Sequence, residues 1–193
     1  MTSAPQPRPS ESAPPRYAPD RPLPAYRFVP GQGWPHPIHD PDGHSFEGGG
    51  LPAPLPAWAP EGWASNQDYR FGVDLFNLAY WWEAHEVWEG LWQVTDKVGP
   101  PALFLQGLIQ VSAALLKAFA GSGEGAARLS TSGEEKLMQV LRSGRCHEGR
   151  FFMGLDISGF LADVRRYFAS YRARTADAGP GGPLPVLVLG EDA

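Results

Sequence analysis

Residues 81–92 read WWEAHEVWEGLW, which sets four tryptophans, three glutamates and one histidine within about three helical turns. The segment carries no proline, and its only glycine is Gly90. On a helical wheel with His85 at the origin, Glu89 falls near 40°, Trp82 near 60°, Trp92 near −20°, Trp81 near −40° and Trp88 near −60°. The tryptophans thus flank His85 and Glu89, while Glu86 lies near 100° and Glu83 near 160°. A buried tryptophan removes roughly 150 to 250 Å² from water, so the aromatic side is expected to face inward. His85 and Glu89 then go in with it, Glu86 stands at the rim, and Glu83 is expected to be solvated.

Outward from this helix the chain keeps a helical period. Asn66 is the N-cap expected for QDYRFGVDLFNLA, and the WWEAHEVWEGLW helix runs from about Tyr80 to Thr95. Gly99-Pro100-Pro101 punctuates the chain and opens a third helix, from about Ala102 to Phe119, with proline tolerated in its first turn. This helix is apolar nearly all round and is expected at the centre. It is interrupted by Gln106, Gln110 and Lys117, which share one side, and Gly107 would let another helix cross closely. A fourth helix spans about 124–142 and is ordinarily amphipathic. Asp156 caps a fifth, whose stripe is Phe160, Leu161, Val164, Phe168 and Tyr171, with Arg165, Arg166 and Arg174 on a solvated face. The fold class is all-α, a bundle of about five helices over residues 66–175.

The flanks differ in composition. Sixteen of the 21 prolines lie in residues 1–60, which excludes helices and central strands there. Residues 1–25 read as a disordered Pro-rich tail. Residues 26–65 form an irregular arm and connector, with Tyr26, Phe28, Trp34 and Phe46 among His36, His39 and His44. Such aromatic density implies that the arm packs on something. Residues 176–193 form an extended tail whose VLVL run docks either on the bundle or on a second subunit.

A formal net charge of −5 and a pI near 5.5 disfavour a nucleic-acid partner, since that affinity comes largely from Lys and Arg neutralising phosphates. The opening residues lack the apolar run of a secretory leader, and the third helix, with two glutamines and a lysine, falls short of a clean bilayer span. A cytoplasmic protein with no membrane partner is the expectation. Cys146 is the single cysteine, so neither an intrachain disulfide nor a multi-thiolate metal site is available. It reads as a surface-loop thiol.

The chemistry concentrates on His85 and Glu89, four apart on one helix, which can pair with each other or share a cation. HEVWE is like the zinc-protease pattern H-E-x-x-H with glutamate in place of the second histidine. A metal site therefore needs donors from elsewhere, and the arm offers His36 and His44. In that reading a divalent metal sits on His85, Glu89, His36 and His44, and Glu86 is the general base of a metal-dependent hydrolase. The competing reading is a binding or structural module, with self-association into a homodimer or an unknown small molecule as its partner. There Trp82, His85, Trp88 and Glu89 line a polar site in an aromatic pocket, and Gln106, Gln110 and Lys117 supply a second wall or simply pack.

Two motifs also carry a resemblance. Glu83-Ala84-His85-Glu86 with Glu89, followed by Gly107-Leu108-Ile109-Gln110, resembles domain-of-unknown-function family 309, closely over about residues 70–130. The arm is similar to an amino-terminal extension of one subgroup. The resemblance implies a small helical domain and no particular reaction. Two positions depart from it: Ala79 stands where a glycine-like turn residue is common, and Lys117 where a histidine is, which weakens any metal site needing a ligand there.

Overall fold

The computed structural model describes residues 6–47, 55–175 and 178–190. Residues 1–5 of the tail, 48–54 of the connector, and 176, 177 and 191–193 lie outside them. Five helices follow in order: α1 (Gln67–Asn77), α2 (Trp81–Val94), α3 (Pro100–Phe119), α4 (Gly123–Arg142) and α5 (Ile157–Ala173). A 3-10 turn at Pro60–Gly62 precedes α1, and a two-residue antiparallel hairpin, β1 (Phe151–Phe152) with β2 (Leu155–Asp156), precedes α5. The protein is predominantly helical, as the periodicity predicts.

The caps explain the boundaries. The Asn66 side chain accepts the Tyr69 N–H at 2.9 Å, and Asp156 accepts Gly159 N–H at 2.9 Å, each satisfying one orphan donor of a first turn. Pro100 and Pro101 occupy the first positions of α3, where a missing N–H costs nothing. Between α1 and α2 the Tyr80 N–H reaches the Leu75 carbonyl and Ala79 N–H that of Phe76, a Schellman closure around Ala79 at φ 63°. That left-handed position favours glycine, which is the physical content of the departure at Ala79.

The helices pack in series, α1 on α2, α2 on α3, α3 on α4 and α4 on α5. By length and a mean hydropathy of 1.6, α3 passes as a membrane span; here its buried face, including Phe104, Leu108 and Val111, lies within the bundle. Gly107 and Gly133 face each other across α3 and α4: a Cβ at Gly107 would stand 2.7 Å from Leu137, and one at Gly133 would stand 3.0 Å from the Gly107 carbonyl oxygen. The close crossing expected at Gly107 is made with α4. Trp88, Tyr69, Phe76, Phe104 and Phe168 are the largest wholly buried side chains.

Both flanks dock on this core. Asp74, buried in α1, accepts the Tyr17 N–H at 2.6 Å and the Ala18 N–H at 2.9 Å, and pairs with Arg16 at 3.3 Å. Composition reads this stretch as a disordered tail; the Asp74 carboxylate, with Arg21 paired to Asp68 at 2.6 Å, anchors residues 16–21 to α1. The VLVL run docks on the bundle, where the Asn77 amide brackets Leu187 with two 2.8 Å hydrogen bonds. Leu187 and Leu189 point inward and Val188 outward, the alternation of an extended segment.

Candidate functional site

The inward face of α2 is not the one that the tryptophans suggest. Its buried residues are Trp81, Glu83, Ala84, Trp88 and Leu91, an arc centred near Ala84 and turned by about 100° from His85. Ala84 is wholly enclosed, because a small side chain marks where a helix comes nearest its neighbours. Trp88, expected to line a pocket, is instead sealed in the core: its Nε1 donates to the Tyr69 carbonyl at 3.4 Å and its ring lies over Gly72.

This rotation exchanges the roles of the polar residues. Glu83, expected to be solvated, is the buried carboxylate. Its Oε1 accepts the Phe28 N–H at 2.9 Å and lies 3.1 Å from His44 Nε2, the two side chains being only 5% and 6% exposed. Its Oε2 is buried with no hydrogen-bond partner among the described residues. His44 is further fixed by Ser45 Oγ at 2.9 Å and by the edge of Tyr26, which stacks on Trp34.

The arm therefore does fold onto α2, but neither of its candidate ligands joins His85. His44 is taken by Glu83. His36 turns its ring toward Trp82 and Phe28 with centroids 5.4 and 5.1 Å away, and stacks on His39 at 4.5 Å. Its Nδ1 accepts the Ile38 and His39 N–H groups, and burial, then the neighbouring His39, lowers its pKa below 6.5. The expected second wall also lies elsewhere in part: the stems of Gln110 and Lys117 pack against α4 at Gly133 and Gly125. Gln106 is half-buried.

What remains on α2 is a half-exposed cluster. His85 Nε2 lies 3.1 Å from Glu89 Oε2, and Nδ1 lies 3.8 Å from Glu86 Oε1, with side-chain exposures of 29% for His85, 43% for Glu89 and 36% for Glu86. One ligand atom from each of the three falls within 4.8 Å of the others. Burial lowers the His85 pKa despite the opposing pull of Glu89, which favours the neutral imidazole whose free nitrogen can coordinate. The Glu86 carboxyl is pushed up to about 7, by burial first and then by the charges of Glu89 and Glu83. The helix thus crowds acceptors that a cation would relieve.

Sequence reasoning reached His85, Glu86 and Glu89 but missed Glu83, His44 as its partner, Asp74 and Asn77. A signal for Glu83 was present: Trp81, Trp88, Ala84, Leu91 and Val87 form one unbroken apolar arc of about 120°, with Glu83 at its edge. Nothing local marks Asp74, whose partners lie 56 to 58 residues away.

Fold and cluster together define a small all-α domain with a histidine and two carboxylates on one face of its second helix. Residues 69–129, from α1 into α4, match the family described as Domain of unknown function (DUF309), the family that the two motifs resemble. No curated protein and no solved structure matches the chain.

Proposed function

We propose that the domain is a divalent-cation binding module whose ligands are His85, Glu86 and Glu89. The observation that carries this reading is the convergence of one imidazole and two carboxylates within 4.8 Å on a single half-exposed helix face. Adjacent ligand atoms around a four- or six-coordinate ion held at about 2.0 to 2.2 Å stand roughly 2.8 to 3.6 Å apart. The 3.1 Å between His85 Nε2 and Glu89 Oε2 falls in that range, and with Glu86 the three ligand atoms lie within 4.8 Å of one another, so rotamer changes bring the set to an ion. An imidazole with carboxylates suits zinc and the neighbouring first-row ions, and solvent exposure leaves the remaining coordination positions to water or to a ligand. A purely structural pair is the weaker account, because exposed ion pairs contribute only about 0 to 1 kcal/mol. In this reading Glu86 is a ligand, not the general base of a hydrolase, and the arm histidines stay outside the coordination shell.

Isothermal titration of Zn2+ and Mn2+ into untagged, chelator-treated protein tests it. One ion bound per chain is expected, with binding lost in His85→Ala and in Glu89→Gln while helicity is unchanged. Binding that survives both substitutions contradicts the assignment.

A further inference from the structure

A cleft of about 520 Å³ opens where the 3-10 turn, the first turn of α3 and the hairpin meet, and none of the α2 cluster lines it. Its volume falls in the roughly 300 to 1,000 Å³ range of small-molecule sites. Its lining is mixed, with the rings of Trp63, Phe151 and Phe152 beside Pro60, Pro100 and Pro101 and polar groups among them. Planar faces of this kind take a planar ring by offset or edge contact. The polar residues on the cleft are Arg145 and His147, against one acid, Glu61. Arg145 is exposed, and among the described residues its guanidinium enters no ion pair or hydrogen bond.

The hairpin wall is held in a costly conformation. Between residues 144 and 154 five residues have left-handed φ, at Gly144, Glu148, Gly149, Met153 and Gly154, and two of these carry side chains. Such backbone persists only where its surroundings over-determine it. Here Tyr69 Oη donates to the Met153 carbonyl at 2.9 Å, Gly190 N–H to that of Gly154 at 2.8 Å, and the Trp63 ring lies so close over Gly154 that no Cβ fits. The hairpin turn at Met153 and Gly154 is therefore held against α1 and Trp63, and Phe152 packs on Phe104 with ring centroids 5.2 Å apart, which lowers the ordering cost of binding at this wall.

We propose that this cleft binds a small aromatic carboxylate, its ring against Trp63, Phe151 and Phe152 and its carboxylate on Arg145. The guanidinium fork matches a carboxylate in plane and can meet it with two parallel hydrogen bonds. The site is separate in residues and in chemistry from the α2 cluster, so it stands whether or not a cation binds there.

Isothermal titration of the full chain with three probes of one ring tests the assignment: indole-3-acetate, uncharged indole and cationic tryptamine. Indole-3-acetate binds once per chain, about tenfold or more tighter than indole, and tryptamine more weakly than indole. Arg145→Ala lowers indole-3-acetate to the level of indole and leaves indole itself unchanged. Arg145→Gln, which keeps the stem, gives the same loss, and melting temperatures equal to wild type show that both variants remain folded. Equal affinity for the three probes, or a preference for indole-3-acetate that survives both substitutions, overturns the proposal.

Discussion

Glu83 and His85 stand two residues apart in sequence and meet different surroundings. Glu83 is enclosed under the arm and accepts from the Phe28 N–H and faces His44, so Glu83→Ala strands both partners in the interior. The expected cost is about 2 to 4 kcal/mol. His85→Ala removes a half-exposed side chain and should cost less than about 1 kcal/mol. Urea denaturation of the two variants checks the order, and equal losses would contradict the burial of Glu83 on the inward face of α2. Glu134 offers a pH test: burial alone would raise its pKa, but hydrogen bonds from Arg165 and Arg172 outweigh it and hold the carboxyl below 4.5. A folded pKa below the unfolded value means stability present above the ordinary glutamate range and lost as pH falls through the folded value. Glu134→Gln is therefore expected to be less stable than wild type at pH 7, with the gap closing in acid. A gap that does not narrow in thermal melts run from pH 7 to pH 3 would contradict it.

Helices were legible because their punctuation is local. Asn66, Asp156 and the Pro100-Pro101 pair act within one turn of themselves, and the structure uses each as the chain order implies. The rotation of α2 was not legible from tryptophan alone, because a large side chain reaches the core from the flank of a helix, whereas alanine marks the line of closest approach. The α1–α2 contact rests on such an approach, with the Trp88 ring against the bare backbone of Gly72. Gly72→Ala forces that wholly buried ring to move and is expected to destabilise by about 1 to 3 kcal/mol. A lower urea midpoint with unchanged slope is the predicted result; an unchanged midpoint would mean that the ring shifts freely.

Across the whole molecule the two flanks close over the bundle and touch each other, Leu189 N–H donating to Tyr17 Oη at 2.8 Å. These contacts join residues 172 positions apart, and no periodicity encodes them; they depend on single polar anchors, Asp74 and Asn77, that look like ordinary surface residues in a one-dimensional reading. The same closure decides the site. With His44 seated on Glu83 and His36 turned toward Trp82 and His39, the arm leaves His85, Glu86 and Glu89 half-exposed as a set on one helix. In the proposed cation site a single helix supplies every protein ligand. Anomalous diffraction from crystals of the full chain soaked in Zn2+ tests it most directly. One strong peak is expected within about 2.0 to 2.2 Å of a His85 nitrogen and of a Glu86 and a Glu89 oxygen; a peak coordinated by His36 or His44, or no peak at this cluster, would overturn the proposed site.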